Sequence, residues 1–277
     1  MGLRISTNVQ SLSAQRHFGI NSNLQKDSLE KLSSGSRINK AADDAAGLAI
    51  SEKMKGTIRS LRQASRNAQD GISMIQTAEG GMNEIGNILI RFRELSIQAA
   101  TDTLGDPERV FIDKEVQQLK EEISRIAVST EYNGRKILNG SGDSLDIQVG
   151  MNNNPEQDRL VYDVQKTNVS LDRLGLSGIS TLDKDSARNN LAAIDDAVST
   201  LVSNRAELGA LQNRLNTTVA NLAIYDENLN AANSRIRDTD VAAETANLTK
   251  QNILTASGIS VLSQANQNNA IALKLLS

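Results

Sequence analysis

Between Leu61 and Ala99 the chain repeats an apolar or small residue every three or four positions: Leu61, Ala64, Ala68, Ile72, Ile75, Ala78, Met82, Ile85, Leu89, Phe92, Ser96 and Ala99. That period keeps one face apolar for about eleven turns and predicts a long amphipathic helix. The polar run "TDTLGDPER" ends it, and Asp106 before Pro107 predicts an N-cap followed by proline at the first helical position. A second helix follows, with Ile112, Val116, Leu119, Ile123, Ile126 and Thr130 on one face.

The longest seam lies in the C-terminal half. It reads Leu191, Ile194, Val198, Leu201, Arg205, Leu208, Gln212, Leu215, Val219, Leu222, Asp226, Leu229, Asn233 and Ile236. One of its two positions is aliphatic throughout: Ile194, Leu201, Leu208, Leu215, Leu222, Leu229 and Ile236. The other mixes aliphatics with Arg205, Gln212, Asp226 and Asn233. This is a heptad seam, and polar residues at one of its positions fix register at some cost in stability. A helix of this length reaches about 70 Å at 1.5 Å per residue.

The middle of the chain has a different texture. "YNGRK" and "LNGSGDS" carry turn residues, and "LDIQVG" and "RLVYDV" alternate as strands do, with "MNNNPEQD" between them. This predicts a β-hairpin with short extended pieces.

Both ends are helical but less regular. Val9, Leu12, Ile20, Leu24, Leu29 and Leu32 mark the N-terminal segment, after Leu3 and Ile5. The polar break "SSGS" then interrupts the helix, which resumes near "DDAAGLAIS". Either Asp43 or Asp44 is placed to cap the resumed helix, a reading preferred over a metal-binding or acid–base carboxylate pair. "SSGS" lacks the lysine and spacing of a phosphate-binding loop and reads as a turn or linker. The C-terminal segment carries two neighbouring seams, Leu254, Gly258, Val261, Ala265, Asn268, Ala272 and Leu275 beside Ile259, Leu262, Asn266, Asn269, Leu273 and Leu276. A helix apolar on two sides needs more than one partner. The candidate assembly residues are therefore Leu24, Leu29, Leu32, Leu254, Ile259, Val261, Leu262, Leu273, Leu275 and Leu276. Ordering the N-terminal segment costs more conformational entropy than its few aliphatic side chains return. Both ends are expected to be poorly ordered in the monomer and to fold when many copies pack together.

Composition sharpens this picture. Aromatic residues make up 2% of the 277 residues, which points to thin helix–helix seams over a bulky compact core. The net charge of -3 leaves no strong nucleic-acid footprint. With no cysteine and one histidine, His17, disulfides and cysteine-containing zinc sites are excluded. No Ser/His/Asp set or glycine-rich dinucleotide loop is visible, so no catalytic residue, cofactor site or metal site is assigned. No apolar run approaches the roughly 18 residues of a membrane span, and "MGLRISTNVQSLSAQ" has no apolar signal region.

The stretches "SLEKLSSGSRINKAADDAAGLAIS", "RNAQDGISMIQTAEG", "RELSIQAA", "LGALQNRL" and "SRIRDTDVAAE" closely resemble bacterial flagellin, the subunit of the flagellar filament. They cover most of residues 1–135 and 187–277. The resemblance implies a mainly α fold: a hairpin-shaped rod of long antiparallel coiled-coil helices, with paired N- and C-terminal helices and a small β-hairpin region. It implies an inner-core terminal domain built from 1–44 and 240–277, and a rod-like domain over 45–239. The rod helices would span about 57–102, 106–130 and 187–237, with the hairpin near 137–165. The short middle implies a minimal form without outer variable domains.

Functionally, the resemblance implies a homopolymer that transmits motor torque for swimming, at an extracellular flagellum. Implied partners are a flagellar export chaperone, the type III export apparatus, and hook-junction and cap proteins. Toll-like receptor five is a further partner in this family, and the matching positions are Arg91, Leu95 and Glu115. Ile90 stands where recognised members usually carry glutamine, Ser36 where leucine is usual, and Asn269 where proline is frequent. Without that proline the last helix is expected to continue nearly to the C-terminus. The hairpin is the expected element of switching between two subunit packings, and Gly150→Ala is the substitution expected to stiffen it. The rival readings are a hook–filament junction protein, which shares the paired-terminus design, and a coiled-coil adaptor or effector.

Overall fold

A computed structural model describes the backbone of residues 7–274 and the side chains through residue 267. In chain order the elements are helix α1 (Val9–Ser34), α2 (Ala45–Ala99), α3 (Asp106–Ser129), strands β1 (Glu131–Tyr132), β2 (Arg135–Lys136) and β3 (Leu145–Gln148), the one-turn helix α4 (Pro155–Asp158), strand β4 (Arg159–Tyr162), and helices α5 (Lys184–Arg237) and α6 (Val241–Lys274). Contacts group the chain into two units, Met1–Ile58 with Glu227–Ser277, and Arg59–Asp226. The division passes through α2 and α5.

The unit of residues 59–226 owes its shape to the period of α2. Every position of the Leu61–Ala99 stripe is buried except Ile72, which is half-buried. Phe92, Ile85, Leu89, Met82 and Ile75 are wholly inaccessible. Facing them are Ile112, Val116, Ile123 and Ala127 of α3, and Ile194, Ala197, Leu201, Leu208 and Leu215 of α5. The core continues through the β-containing segment, taking in Ile137, Leu138, Ile147, Leu160, Tyr162, Val169 and Leu176.

α2 and α5 run antiparallel here, and the polar positions of the α5 seam mark the register. Arg205 pairs with Glu79 at 3.4 Å, Asp226 with Arg62 at 3.1 Å, and outside the seam Asp195 with Arg93 at 2.9 Å. Two glycines of α2 admit close neighbours: a Cβ on Gly86 would sit 3.3 Å from Leu201 of α5, and one on Gly71 only 2.8 Å from Ile147 of strand Leu145–Gln148.

Two helix boundaries differ from expectation, the start of α2 and the cap of α3, and the end of α6 does not. α2 starts at Ala45, well before residue 57, because the Asp44 carboxylate accepts the Gly47 N–H at 2.8 Å and caps the helix at once. Asp106 is not the N-cap of α3. Gly105 holds that position, Asp106 is the first helical residue, and its carboxylate instead receives Arg109 Nη1 at 2.9 Å. The buried Arg109 also donates to the carbonyls of Ala99 (3.1 Å) and Thr101 (2.9 Å), closing the C-terminus of α2. α6 continues through Asn269 to Lys274.

The β segment holds two antiparallel pairs. β3 and β4 pair with Leu145 opposite Tyr162 and Ile147 opposite Leu160, which puts their inward residues on one face. β1 and β2 form a second, very short hairpin closed by Asn133 (φ 49°) and Gly134 (φ 76°), the left-handed pair that a two-residue hairpin turn requires. The sequence shows the turn signal there but no strand pattern. Tyr162 anchors the segment: its hydroxyl donates to the Ile137 carbonyl at 2.8 Å and lies 3.1 Å from Thr167 Oγ1. Burial raises the Tyr162 pKa above its usual value.

Candidate assembly surface

The unit formed by residues 1–58 and 227–277 brings α1 and α6 together as an antiparallel pair. Its contacts are polar and small. Asn8 caps α1 by accepting the Ser11 N–H at 3.0 Å, and its own Nδ2 donates to the Ala265 carbonyl at 3.0 Å. Ser11 Oγ bonds Asn266 Oδ1 at 3.0 Å, and Gln25 Nε2 bonds Asn252 Oδ1 at 2.6 Å. The buried residues of the pair are Ser11, Ser28 and Ala265. Gly258 faces Phe18 across the pair, and a Cβ there would make an ordinary contact with it at 3.8 Å.

The aliphatic side chains are left outside. On α1, Leu24 is 44% and Leu29 48% exposed, and Leu32 is half-buried. On α6, Ile259 and Val261 are each 55% exposed, Leu254 is also exposed, and Leu262 is half-buried. Leu275, Leu276 and the side chain of Leu273 lie outside the described residues. An open groove of about 550 Å³ runs along the pair, lined by Ala14, His17, Leu254, Gly258, Val261 and Ala265 among others. A helix pair that stays alone in water turns its aliphatic residues inward. This one leaves many of them exposed, an apolar surface that calls for a partner.

Polar groups tell the same story. Among the described residues, Asn39 Nδ2, Asn233 Oδ1, Thr239 Oγ1, Gln251 Oε1 and Thr255 Oγ1 of this unit are buried without a hydrogen-bond partner, against Ser96 Oγ and Asn204 Nδ2 in the other. Such groups carry a desolvation cost until a partner is supplied.

The α5 seam divides along its length. Ile194, Leu201, Leu208 and Leu215 are buried, whereas Leu222, Leu229 and Ile236 are half-buried.

Of the receptor-patch positions, Arg91 and Glu115 meet directly. Arg91 Nε and Nη2 both donate to Glu115 Oε1, at 3.0 and 2.8 Å, while Nη1 reaches Glu94 at 2.9 Å. These bonds raise the Arg91 pKa. Leu95 is 1% exposed and belongs to the core, so the structure does not bring it to the surface with Arg91 and Glu115. Ile90 is exposed beside it.

Among the described residues no group of three or more His, Cys, Asp or Glu is placed to hold a metal ion, and no helix is long and apolar enough to cross a membrane. His17 lines the α1–α6 groove, and Asp43 and Asp44 are occupied with backbone N–H groups.

Comparison with known proteins gives this architecture a family. Residues 5–143 match the bacterial flagellin N-terminal helical region, and residues 191–276 match the bacterial flagellin C-terminal helical region. The chain is 44% identical over 272 residues to a flagellin of Halalkalibacterium halodurans, covering 98% of this chain and 99% of that one. It is 43% identical to the flagellar filament 30.7 kDa core protein of Treponema maltophilum, covering 99% of each chain. Among solved structures, Bacillus cereus flagellin matches with a TM-score of 0.51 and 29% identity, over 57% of this chain and 88% of that one. A putative flagellar hook-associated protein from Vibrio parahaemolyticus shares the fold, with a TM-score of 0.58 at 12% identity over 71% of this chain and all of that one. With both helical regions matched and full-length relatives above 40% identity, the chain belongs to the bacterial flagellin family.

Proposed function

We propose that the chain is the structural subunit of a bacterial flagellar filament, a homopolymer that carries motor torque to the surrounding fluid. The observation that carries this reading is the outward-facing aliphatic set of α1 and α6, an arrangement suited to burial between copies. Residues 1–44 and 240–277 form the part that orders in the polymer's inner core, and residues 45–239 form the rod around it. Leu24, Leu29, Leu254, Ile259 and Val261 are then assembly contacts. Full-length relatives named flagellin and filament core protein support the subunit reading over a hook–filament junction role.

Partners follow from the same surface. An export chaperone would cover the aliphatic side of α6 before assembly, and a type III export apparatus would carry the chain outward to a cap and hook-junction scaffold. The Arg91–Glu115 pair is the accessible part of a surface for Toll-like receptor five.

Seeded growth of purified monomer tests the central claim. Electron microscopy should show tubular filaments, and Leu24→Asp with Val261→Asp should stop growth without moving the unfolding midpoint of the 59–226 unit. Normal filaments from that double variant would refute the assignment of these side chains to assembly.

A further inference from the structure

Two turns of the β segment carry the same reactive pair of residues. Asn133–Gly134 and Asn139–Gly140 are the Asn–Gly steps of the sequence. An asparagine carboxamide is open to attack by the backbone nitrogen that follows it, and glycine has no side chain to shield that nitrogen. The glycine nitrogen bonds to the asparagine Cγ, the Cγ–Nδ2 bond breaks, and the departing nitrogen takes the displaced proton and leaves as ammonia. The succinimide so formed takes up water and opens at either carbonyl. One opening gives aspartate. The other gives isoaspartate, whose main chain runs through the former side chain. Water is the sole co-reactant.

The fold treats the two steps differently. The Asn139 carboxamide is tied down: its Oδ1 accepts the Ser141 N–H at 3.0 Å and the Ser141 hydroxyl at 2.7 Å. Asn139 is half-buried and follows Ile137 and Leu138, both inaccessible to solvent. The Leu138 carbonyl accepts the Val169 N–H at 3.0 Å. Gly140 packs so closely on Asn168 that a Cβ would lie 2.4 Å from Asn168 Nδ2. The Gly140 nitrogen cannot swing onto Asn139 Cγ without undoing these contacts.

Asn133 has no such hold. It is exposed, as is Gly134, and the space around Gly134 is open. Among the described residues no group bonds the Asn133 carboxamide. Asn133 is also the one non-glycine residue at positive φ among the described residues, at 49°, a backbone region that L side chains enter at a cost. The hairpin it closes has two residue pairs, Glu131 with Lys136 and Tyr132 with Arg135, and a ladder that short opens readily. To reach the reactive geometry Asn133 has only to leave a strained, exposed turn.

We propose that Asn133 is a site of spontaneous deamidation and isoaspartate formation, and that Ser141 and the packing of Gly140 on Asn168 protect Asn139 from the same reaction. The product alters the turn in two ways. A negative charge appears between Glu131 and Arg135 in the chain. In the isoaspartate form the main chain gains a methylene, and a two-residue turn no longer fits the β1–β2 register. The inference concerns the 59–226 unit of the isolated chain and stands apart from the polymer reading.

Peptide mapping of the full-length monomer, after incubation at mildly alkaline pH, tests it. Conversion is read by mass spectrometry as replacement of an amide by a carboxylate, and isoaspartate by labelling with an isoaspartyl methyltransferase. The peptide with Asn133 should convert. The peptide with Asn139 should convert at least about tenfold more slowly, because two hydrogen bonds must first be released. In denaturant the two should convert at similar rates, which isolates the contribution of the fold. Ser141→Ala, which removes the hydroxyl donor, should speed Asn139 about threefold or more and leave Asn133 unchanged. Three results would overturn the proposal: Asn133 intact in the folded chain while it converts in denaturant, Asn139 converting as fast as Asn133 in the folded chain, or Ser141→Ala without effect at Asn139.

Discussion

The two units use the same kind of helix to opposite ends. In residues 59–226 the aliphatic stripes of α2, α3 and α5 face one another, and side chains such as Phe92, Ile85 and Leu201 are lost to solvent. In the unit of α1 and α6 the helices meet through Ser11, Ser28, Ala265, Asn8 and Asn266, while Leu24, Leu29, Ile259 and Val261 point away. One unit is finished within the chain. The other has its contacts in reserve, apolar and polar alike. What decides the outcome is how many partners a single chain can supply: three helices and a β segment around one core, or two helices whose outer aliphatic residues stay exposed among the described residues.

The sharpest way to break that comparison is a pair of alanine substitutions. Phe92→Ala empties a filled core and should cost about 3–5 kcal/mol in denaturant unfolding of the monomer. Leu24→Ala should stay within about 0.5 kcal/mol in the same measurement, yet slow seeded filament growth. Equal costs would erase the distinction between the units.

Next in size is Gly150→Ala. A Cβ at this position would lie 1.8 Å from Asp158 Oδ1, in the turn where Val149 and Gly150 donate to the Asp158 carbonyl. The substitution distorts the hairpin; it does not simply stiffen it. It should cost about 1–3 kcal/mol, read by unfolding, with protection lost at the Val149 and Gly150 amides. Tyr162→Phe should follow, at about 0.5–1.5 kcal/mol, because it removes a buried donor from the Ile137 carbonyl.

The smallest effect is on pH. N–H groups of Lys40 and Asn39 hold the Asp43 carboxyl below its ordinary 3.8. Its contribution is therefore present above that ordinary value and fades as pH falls through the lower, folded one. A carboxyl-carbon NMR titration should place Asp43 below 3.8; a value at or above it would mean the turn before α2 is open in solution.

The α2 stripe was legible because a three-to-four spacing has one meaning when a single face is buried, and only Ile72 falls short. The paired strands at 145–148 and 159–162 were legible from alternation bounded by turn residues. Other features left no periodic trace. Leu222, Leu229 and Ile236 continue the α5 heptad without a break, yet they are half-buried, because period reports a face and not what covers it. The α1–α6 contact rests on Ser11 and Ser28, which send no apolar signal, and on the small seam residue Ala265. Leu95, a position implied for receptor recognition by the resemblance, is 1% exposed and packs in the core, a burial that its place in the chain does not announce. The cap at Asp106 moved by one residue because its carboxylate had a closer claim, the guanidinium of Arg109.

The ion pairs between α2 and α5 act as a key against sliding. An aliphatic stripe repeated every seven residues looks the same after a shift of one heptad, so apolar packing alone permits several alignments of nearly equal energy. Shifted by seven, Arg93 would face Arg188 or Val202 where it now faces Asp195, and Arg62 would face Val219 or Asn233 where it now faces Asp226. Each such mismatch is small, but all are incurred together. A helix pair whose repeat makes it prone to misalignment thus carries its own proofreading in a few unevenly spaced charges.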